Sequence, residues 1–297
     1  MSQEHLAWVA HQSTISAIRF TPDGALMFTA GMDNQVRVWD PHDDFAEVAV
    51  LDAHDKPILD LAMAPDGREF TTFAADRQIR RWSTEDFGLI GSLSGHKNAI
   101  TCVRYALDGR HIATGSQDLT IRIWDRASSE CTTTLKGLAR HPLSLAWLPS
   151  GKTLVSTGLG EDLTIWTLAD GSQRAVPTGH KASVTLGGLT PDGETLLSAG
   201  YEGQIRLWST RTWEPRKGFE PGVAGHLSLD LSPHGAMLAL GSERSVGLWS
   251  LENLEALIDL PIKPKGVTAV AFSPDGAWLV AASSDKRLRV WEVDAII

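Results

Sequence analysis

Two cysteines and two tyrosines in 297 residues are a small supply, and the shortage excludes a disulfide-stapled scaffold at the outset. No stretch reaches the 18 or more uninterrupted apolar residues that a membrane-spanning helix needs. The start, Met1-Ser2-Gln3-Glu4-His5, lacks the basic and apolar regions of a secretory signal, so a cytoplasmic location is expected. Also missing is any block of Lys and Arg: 27 basic residues stand against 36 acidic ones, a net charge of −9. Phosphate neutralisation dominates nucleic-acid affinity, and the balance argues against a dedicated nucleic-acid binder. The ten His show no His-Glu-x-x-His spacing, and there is no Gly-x-Ser-x-Gly, phosphate-cradling loop or Cys-x-x-Cys, so neither metal, cofactor nor catalysis is expected. With 42% hydrophobic and 21% charged residues the chain can build a packed core.

What the chain does have is tryptophan, eleven in all. Seven of them, Trp39, Trp82, Trp124, Trp166, Trp208, Trp249 and Trp291, fall 43, 42, 42, 42, 41 and 42 residues apart, so they are one position repeated. A second comb runs in register with the first. It reads Pro22-Asp23-Gly24, Pro65-Asp66-Gly67, Leu107-Asp108-Gly109, Pro149-Ser150-Gly151, Pro191-Asp192-Gly193, Pro233-His234-Gly235 and Pro274-Asp275-Gly276, the chemistry of tight turns. An apolar strand precedes each turn, two strands follow, and a more polar fourth closes the period. Each period thus reads as a four-stranded antiparallel unit that cannot bury both faces alone, and seven such units predict an all-β ring of stacked blades in one domain, residues 1–297.

The units resemble the WD-repeat β-propeller family over the whole chain. The residues that carry the likeness are a His 28 before the Trp, a Ser or Thr 10 before and an acid 6 before. They are His11, Thr29, Asp33 and Trp39 in unit 1, His54, Thr72, Asp76 and Trp82 in unit 2, and His96, Thr114, Asp118 and Trp124 in unit 3. Unit 5 has His180, Ser198, Glu202 and Trp208. Counting from residue 34 sets Thr29 opposite Trp39 across a strand pair, where the hydroxyl can accept the indole N–H. The resemblance implies that the His completes a buried Trp–Thr–His–Asp network. Units 4, 6 and 7 depart from it, with Leu138 and Gly160, with Pro221, Ala239 and Glu243, and with Lys263 and Ala281. His141 and His226 stand three and five residues late and are not counted. These three blades are expected to lack the full network and to be less rigid.

The chain stops just after the third strand of unit 7, while His5 to Ala10 precede the first complete unit. The N-terminal strand, residues 5–10, is therefore expected to complete the last blade. Cys102 and Cys131 fall on the first and fourth strands of unit 3, about 14 Å apart at ~4.8 Å per strand, too far for a disulfide.

Surface remains as the place for function. The rim carrying the network acid, which in this family usually meets partners, has Lys56, Arg77, Lys97, Gln117, Arg140 and Lys181, with Lys263, Lys265, Arg244 and Lys286 in the remaining units. It reads as more basic than the whole chain and suits an acidic protein partner. Met32 and Tyr201, each just before a network acid, are candidate contacts. Alternation aims Arg19, Asp60, Arg104 and Asp230 at a central channel, where they could bind an anion or pair internally. Arg81 stands where other units have Val38, Ile123, Ile165, Leu207, Leu248 and Val290, so it must be paired or snorkel. Trp213 and Trp278 fit either inter-blade packing or a surface contact. The expected function is a non-catalytic protein-interaction scaffold or complex subunit, monomeric alone or held in a hetero-complex. The alternatives are a small-ligand sensor or enzyme using the channel residues, and nucleic-acid binding through the basic rim.

Overall fold

The computed structural model describes residues 4–222, 228–263 and 266–297. Lys265 and His226 lie outside the described residues.

Each 42-residue unit folds into its own antiparallel sheet with strands in chain order. In unit 3 these are Ile100–Tyr105, His111–Ser116, Ile121–Asp125 and Cys131–Leu135. The first turn of each blade closes because its Gly takes a left-handed φ that other residues resist: Gly24 has φ 74° and its N–H reaches Thr21 O at 2.9 Å. The second turn is a three-residue loop whose last member is left-handed, Asn34 at φ 71° and Leu119 at φ 63°.

That loop corrects one expectation. It is centred on Asp33, not on residue 34, so Thr29 pairs with Arg37 and Trp39 pairs with Met27. Trp39 and Thr29 are diagonal neighbours on one face, about 7–8 Å apart at the backbone, a gap that an indole spans.

Seven sheets of this kind make a seven-bladed all-β propeller. The seventh takes its fourth strand from the other end of the chain, where Leu6–Val9 runs antiparallel to Arg287–Glu292 with Leu6 opposite Val290. Blade 5 has three strands, Val184–Leu189, Thr195–Gly200 and Ile205–Ser209, and a single bridge from Trp208 to Pro215 takes the place of the fourth. Pro215 has no N–H to donate and Trp213 is left-handed at φ 62°, so no ladder extends there.

The chain forms two compact units, residues 1–59 with 219–297, and residues 60–218. The first holds blades 1, 6 and 7. There Ile18, Met27 and Trp39 of blade 1 pack with Val280, Leu288 and Val290 of blade 7, and Leu6, Trp8 and Trp278 lie against them. Trp8 sits 5.3 Å from Trp39 and 5.9 Å from Phe45, and Phe45 sits 5.8 Å from Trp278. Trp278 is therefore an inter-blade packing residue. A short helix, Val293–Ile296, adds Val293 and Ile296 to the blade 6 and 7 core. The second unit carries blades 3 to 5 and nearly all of blade 2, with Trp124, Trp166 and Trp208 each buried between neighbouring blades. Trp213 packs against the last of these clusters.

Leu6–Val9 contributes main-chain pairing and the Trp8 contacts to the first unit. Deleting residues 1–10 is expected to destabilise the fold by about 3 kcal/mol or more, in line with loss of a large packed side chain, measured as a lower urea midpoint. An unchanged midpoint would show that the strand is dispensable.

Candidate functional site

The repeated polar residues come together inside the blades. In blade 1 the Trp39 indole N–H donates to Thr29 Oγ1 at 2.9 Å, Thr29 Oγ1 lies 2.8 Å from His11 Nε2, and His11 Nδ1 lies 3.0 Å from Asp33. Blade 3 repeats this through Trp124, Thr114, His96 and Asp118 at 2.8, 2.7 and 2.9 Å. In blade 5 Trp208 and Ser198 are 2.9 Å apart, Ser198 and His180 2.9 Å, and His180 and Glu202 2.5 Å. In blade 2 Trp82 donates to Thr72 at 2.9 Å, while His54 is buried.

Proton positions follow from the donor count. The indole can only donate, so the hydroxyl accepts it and gives its single hydrogen to His Nε2, which leaves Nδ1–H for the carboxylate. This order needs a neutral imidazole beside an ionised acid. Burial holds His96 and His180 below the ordinary histidine range, against the pull of their carboxylates. Burial alone would raise Asp118, but bonds from Thr120, the Lys97 N–H and His96 outweigh it and hold the acid at about 2.

The departing blades differ among themselves. Blade 4 keeps the Trp166 to Ser156 bond at 2.9 Å, with Leu138 and Gly160 at the His and acid positions. Blade 6 has Ala239 where the hydroxyl belongs; its turn is closed by Ser242, whose Oγ accepts from the Ser245 N–H at 3.1 Å, and Trp249 lies 5.0 Å from Phe219. Blade 7 holds a network of another kind. Buried Arg289 donates to Ser283 at 2.5 Å, to Asp285 at 2.7 Å and to the carbonyl of Lys263, the residue standing at the His position, at 3.0 Å. An Arg two places before the Trp occurs in most units, so sequence alone did not distinguish this one.

The network also fixes the rim. Its acids accept the N–H of the residue after the His, Gln12 at 2.8 Å and Lys97 at 2.9 Å. The rim positions are tied to the chain entering the first strand: Met32 N–H to Thr14 O at 2.8 Å, Gln117 to Ala99 at 2.9 Å and Tyr201 to Ser183 at 3.0 Å. From this pinned backbone Met32 (43% exposed) and Tyr201 (36%) face solvent, as do Lys56, Arg77, Lys97, Gln117, Arg140 and Lys181. Two further apolar rim residues escaped notice in the sequence, Leu119 and Leu159, 41% and 40% exposed. Leu159 precedes Gly160 at the same place as Met32 and Tyr201, so the repeat register could have found it. Leu119 sits in left-handed geometry that costs a non-glycine residue roughly 1–2 kcal/mol.

The first-strand charges are held within each unit. In the 60–218 unit Arg104 Nη1 lies 3.2 Å from Asp60 and donates to Val103 O at 2.7 Å. In the other, Arg19 Nη1 donates to Ile18 O at 2.7 Å, and Asp230 accepts the Phe272 N–H at 2.7 Å. Burial pushes the Asp230 carboxyl up to about 6, against the Phe272 N–H and the Arg19 charge. Cys102 is buried, its thiol pushed up to about 11 by burial, and Cys131 is exposed; both are free. Among the described residues no group of three His, Cys, Asp or Glu could hold a metal, and no helix is long and apolar enough to cross a membrane.

Seven repeated β-sheet units, most of them four-stranded and most built around a buried Trp with its hydroxyl partner, define a WD-repeat β-propeller. The family model described as "IFT122 first beta-propeller" matches residues 57–294, and the chain belongs to that family. The model described as "WD domain, G-beta repeat" matches residues 3–40. The chain is also similar to the U5 small nuclear ribonucleoprotein 40 kDa protein of Pongo abelii, 40% identical over 68 residues, and to that of Homo sapiens, 38% identical over 68 residues. Each match covers 23% of this chain and only 19% of the relative's length.

Two measurements test this anatomy. Asp230 has a raised folded pKa, so its contribution is most favourable below the unfolded value near 4 and is lost as pH rises through about 6. Asp230→Asn is expected to raise the urea midpoint at pH 8, with the gap closing towards pH 4; a variant less stable at pH 8 would contradict this. In blade 6, amides of Met237–Gly241 are expected to exchange faster than those of Met27–Gly31 in blade 1, and equal protection would refute the role given to the network.

Proposed function

We propose that the chain is a non-catalytic protein-interaction scaffold, a subunit that holds its partner on the network-turn rim. The observation that carries this reading is a set of exposed apolar side chains on a backbone pinned by hydrogen bonds. In the 60–218 unit three successive blades present Leu119, Leu159 and Tyr201 beside Lys97, Arg140 and Lys181. The other unit presents exposed Met32 and Lys56. Leucine in left-handed geometry does nothing for the turn that Asn or Gly would not do better, so its side chain has another use. Apolar anchors ringed by cations suit a partner segment that is acidic and carries apolar residues of its own. Membership of a propeller family and the local likeness to a ribonucleoprotein component support a place in a larger assembly, with the contact made to protein.

The reading is tested by capture from the source cell with quantitative mass spectrometry. Leu159→Ser with Tyr201→Ser is expected to reduce the bound partner at least about tenfold with an unchanged circular dichroism spectrum, which corresponds to about 1.4 kcal/mol or more of binding. The wild-type interaction is also expected to weaken as salt is raised from 50 to 500 mM, since exposed cations are screened. Capture unaffected by both changes would place the partner elsewhere.

A further inference from the structure

A second site stands out in the 60–218 unit, at the opposite end of the strands from the network turns. Glu69 and Arg81, each 4% exposed, meet in a two-pronged pair: Arg81 Nε lies 3.1 Å from Oε1 and Nη2 lies 2.7 Å from Oε2. Arg81 Nη1 donates to Ser129 Oγ at 2.6 Å. The Tyr105 hydroxyl donates to Glu69 at 2.9 Å and shares a hydrogen bond with Thr71. Arg126 Nε lies 3.2 Å from Glu69, its Nη atoms reach Asp66 at 2.8 and 3.1 Å, and its guanidinium stands 5.8 Å from the Tyr105 ring centre.

The repeats show that the fold does not call for this cluster. At the Arg81 position every other unit has an aliphatic residue, and at the Glu69 position the others have Leu26, His111, Thr153, Thr195, Ala236 and Trp278. Buried ion pairs seldom stabilise a fold more than apolar residues of the same size. The cluster backs an open groove of about 720 Å³, within the range of small-molecule sites. Arg110, His111, Arg126, Ser129 and Ile90 line it.

The groove's acceptors are occupied while some of its donors are free. Glu69 is used by Arg81, Tyr105 and Arg126, and the groove's other acid, Asp125, accepts from the N–H and hydroxyl of Ser128 at 2.8 Å each. Arg110 is exposed, and among the described residues its side chain has no hydrogen bond or ion pair. The His111 ring, stacked 6.4 Å from Trp147, makes no hydrogen bond either. Arg81 and Arg126 are matched by Glu69 and Asp66, so Arg110 is the groove's uncommitted cation.

We propose that this groove binds a small anionic molecule bearing a phosphate or carboxylate. Arg110 and the Ser129 hydroxyl hold the anion beside Arg126, whose guanidinium is already tied to Glu69, Asp66 and the Gly109 carbonyl, and the body of the ligand lies over Ile90. Glu69, Arg81 and Asp66 are positioning residues that hold Arg126 and Ser129 in place. The site is independent of the rim and of its partner.

The test titrates the full chain by calorimetry in low-salt buffer with four probes: inorganic phosphate, citrate, AMP and uncharged adenosine. Binding of AMP with phosphate, or of citrate, is expected and names the anion; adenosine is not expected to bind. Arg110→Gln should weaken the bound probe at least about tenfold. Lys152→Gln removes an exposed cation from the same end of the next blade and should leave affinity unchanged. The charge-neutral pair Glu69→Leu with Arg81→Leu installs the residue types of other blades; it should keep the wild-type melting temperature and lose the probe. The proposal is overturned if no anion saturates below about 10 mM, if Lys152→Gln costs as much as Arg110→Gln, or if the folded double variant binds like wild type.

Discussion

A buried indole N–H has one hydrogen to give and no water to receive it, and each of the first five blades is organised around meeting that demand. Leaving such a donor without a partner costs roughly 1–3 kcal/mol. Thr29, Thr72, Thr114, Ser156 and Ser198 supply the acceptor from the neighbouring strand. In blades 1, 3 and 5 the hydroxyl passes its own hydrogen to a histidine, and the histidine passes one to an acid. The result is a directional chain from the middle of the sheet to the turn at its end. Since that acid also binds main-chain N–H groups, core and rim are fixed by the same bonds.

The chain tolerates the loss of this device where something else meets the local need. Ala239 and Ala281 remove the hydroxyl in blades 6 and 7. Blade 7 compensates at the turn, where Arg289 ties Ser283 and Asp285 to the carbonyl of Lys263. Its guanidinium has enough donors to do from the third strand what the histidine does from the preceding connection. Blade 6 closes its turn with a serine and packs its Trp against Phe219. The bonds that close the second turn therefore differ from blade to blade along the 1–59 and 219–297 unit, although the strands are alike.

With most buried polar groups satisfied within the blades, the two surfaces proposed for recognition are made of side chains the fold does not need. On the rim these are Leu119, Leu159, Tyr201 and Met32 with their neighbouring lysines and arginines; at the far end of blades 2 and 3 they are Arg110 and His111. In both places a rigid backbone carries them, so little ordering is required on binding. The Glu69 and Arg81 pair belongs to the same logic, since it holds charge in place where an aliphatic pair would have filled the space.

The all-β class, the number of blades, their turns and the use of Leu6–Val9 as the last strand were all legible in the sequence. The period of the Trp and turn residues is set by local chemistry, and strand order follows from it. Register was less legible, because the left-handed residue after the acid shifts the centre of the second turn by one and exchanges the partners of Thr29 and Trp39. Tertiary structure alone decided what Arg81 and Arg289 do. Both read as arginines on a third strand, and only the approach of Glu69 and Ser129 to one, and of Asp285 and the Lys263 carbonyl to the other, gives them distinct roles. Partners that recur at one spacing in several repeats, as the Trp and its hydroxyl do, can be read in the sequence; partners made in one blade alone, as by Arg81 and Arg289, cannot.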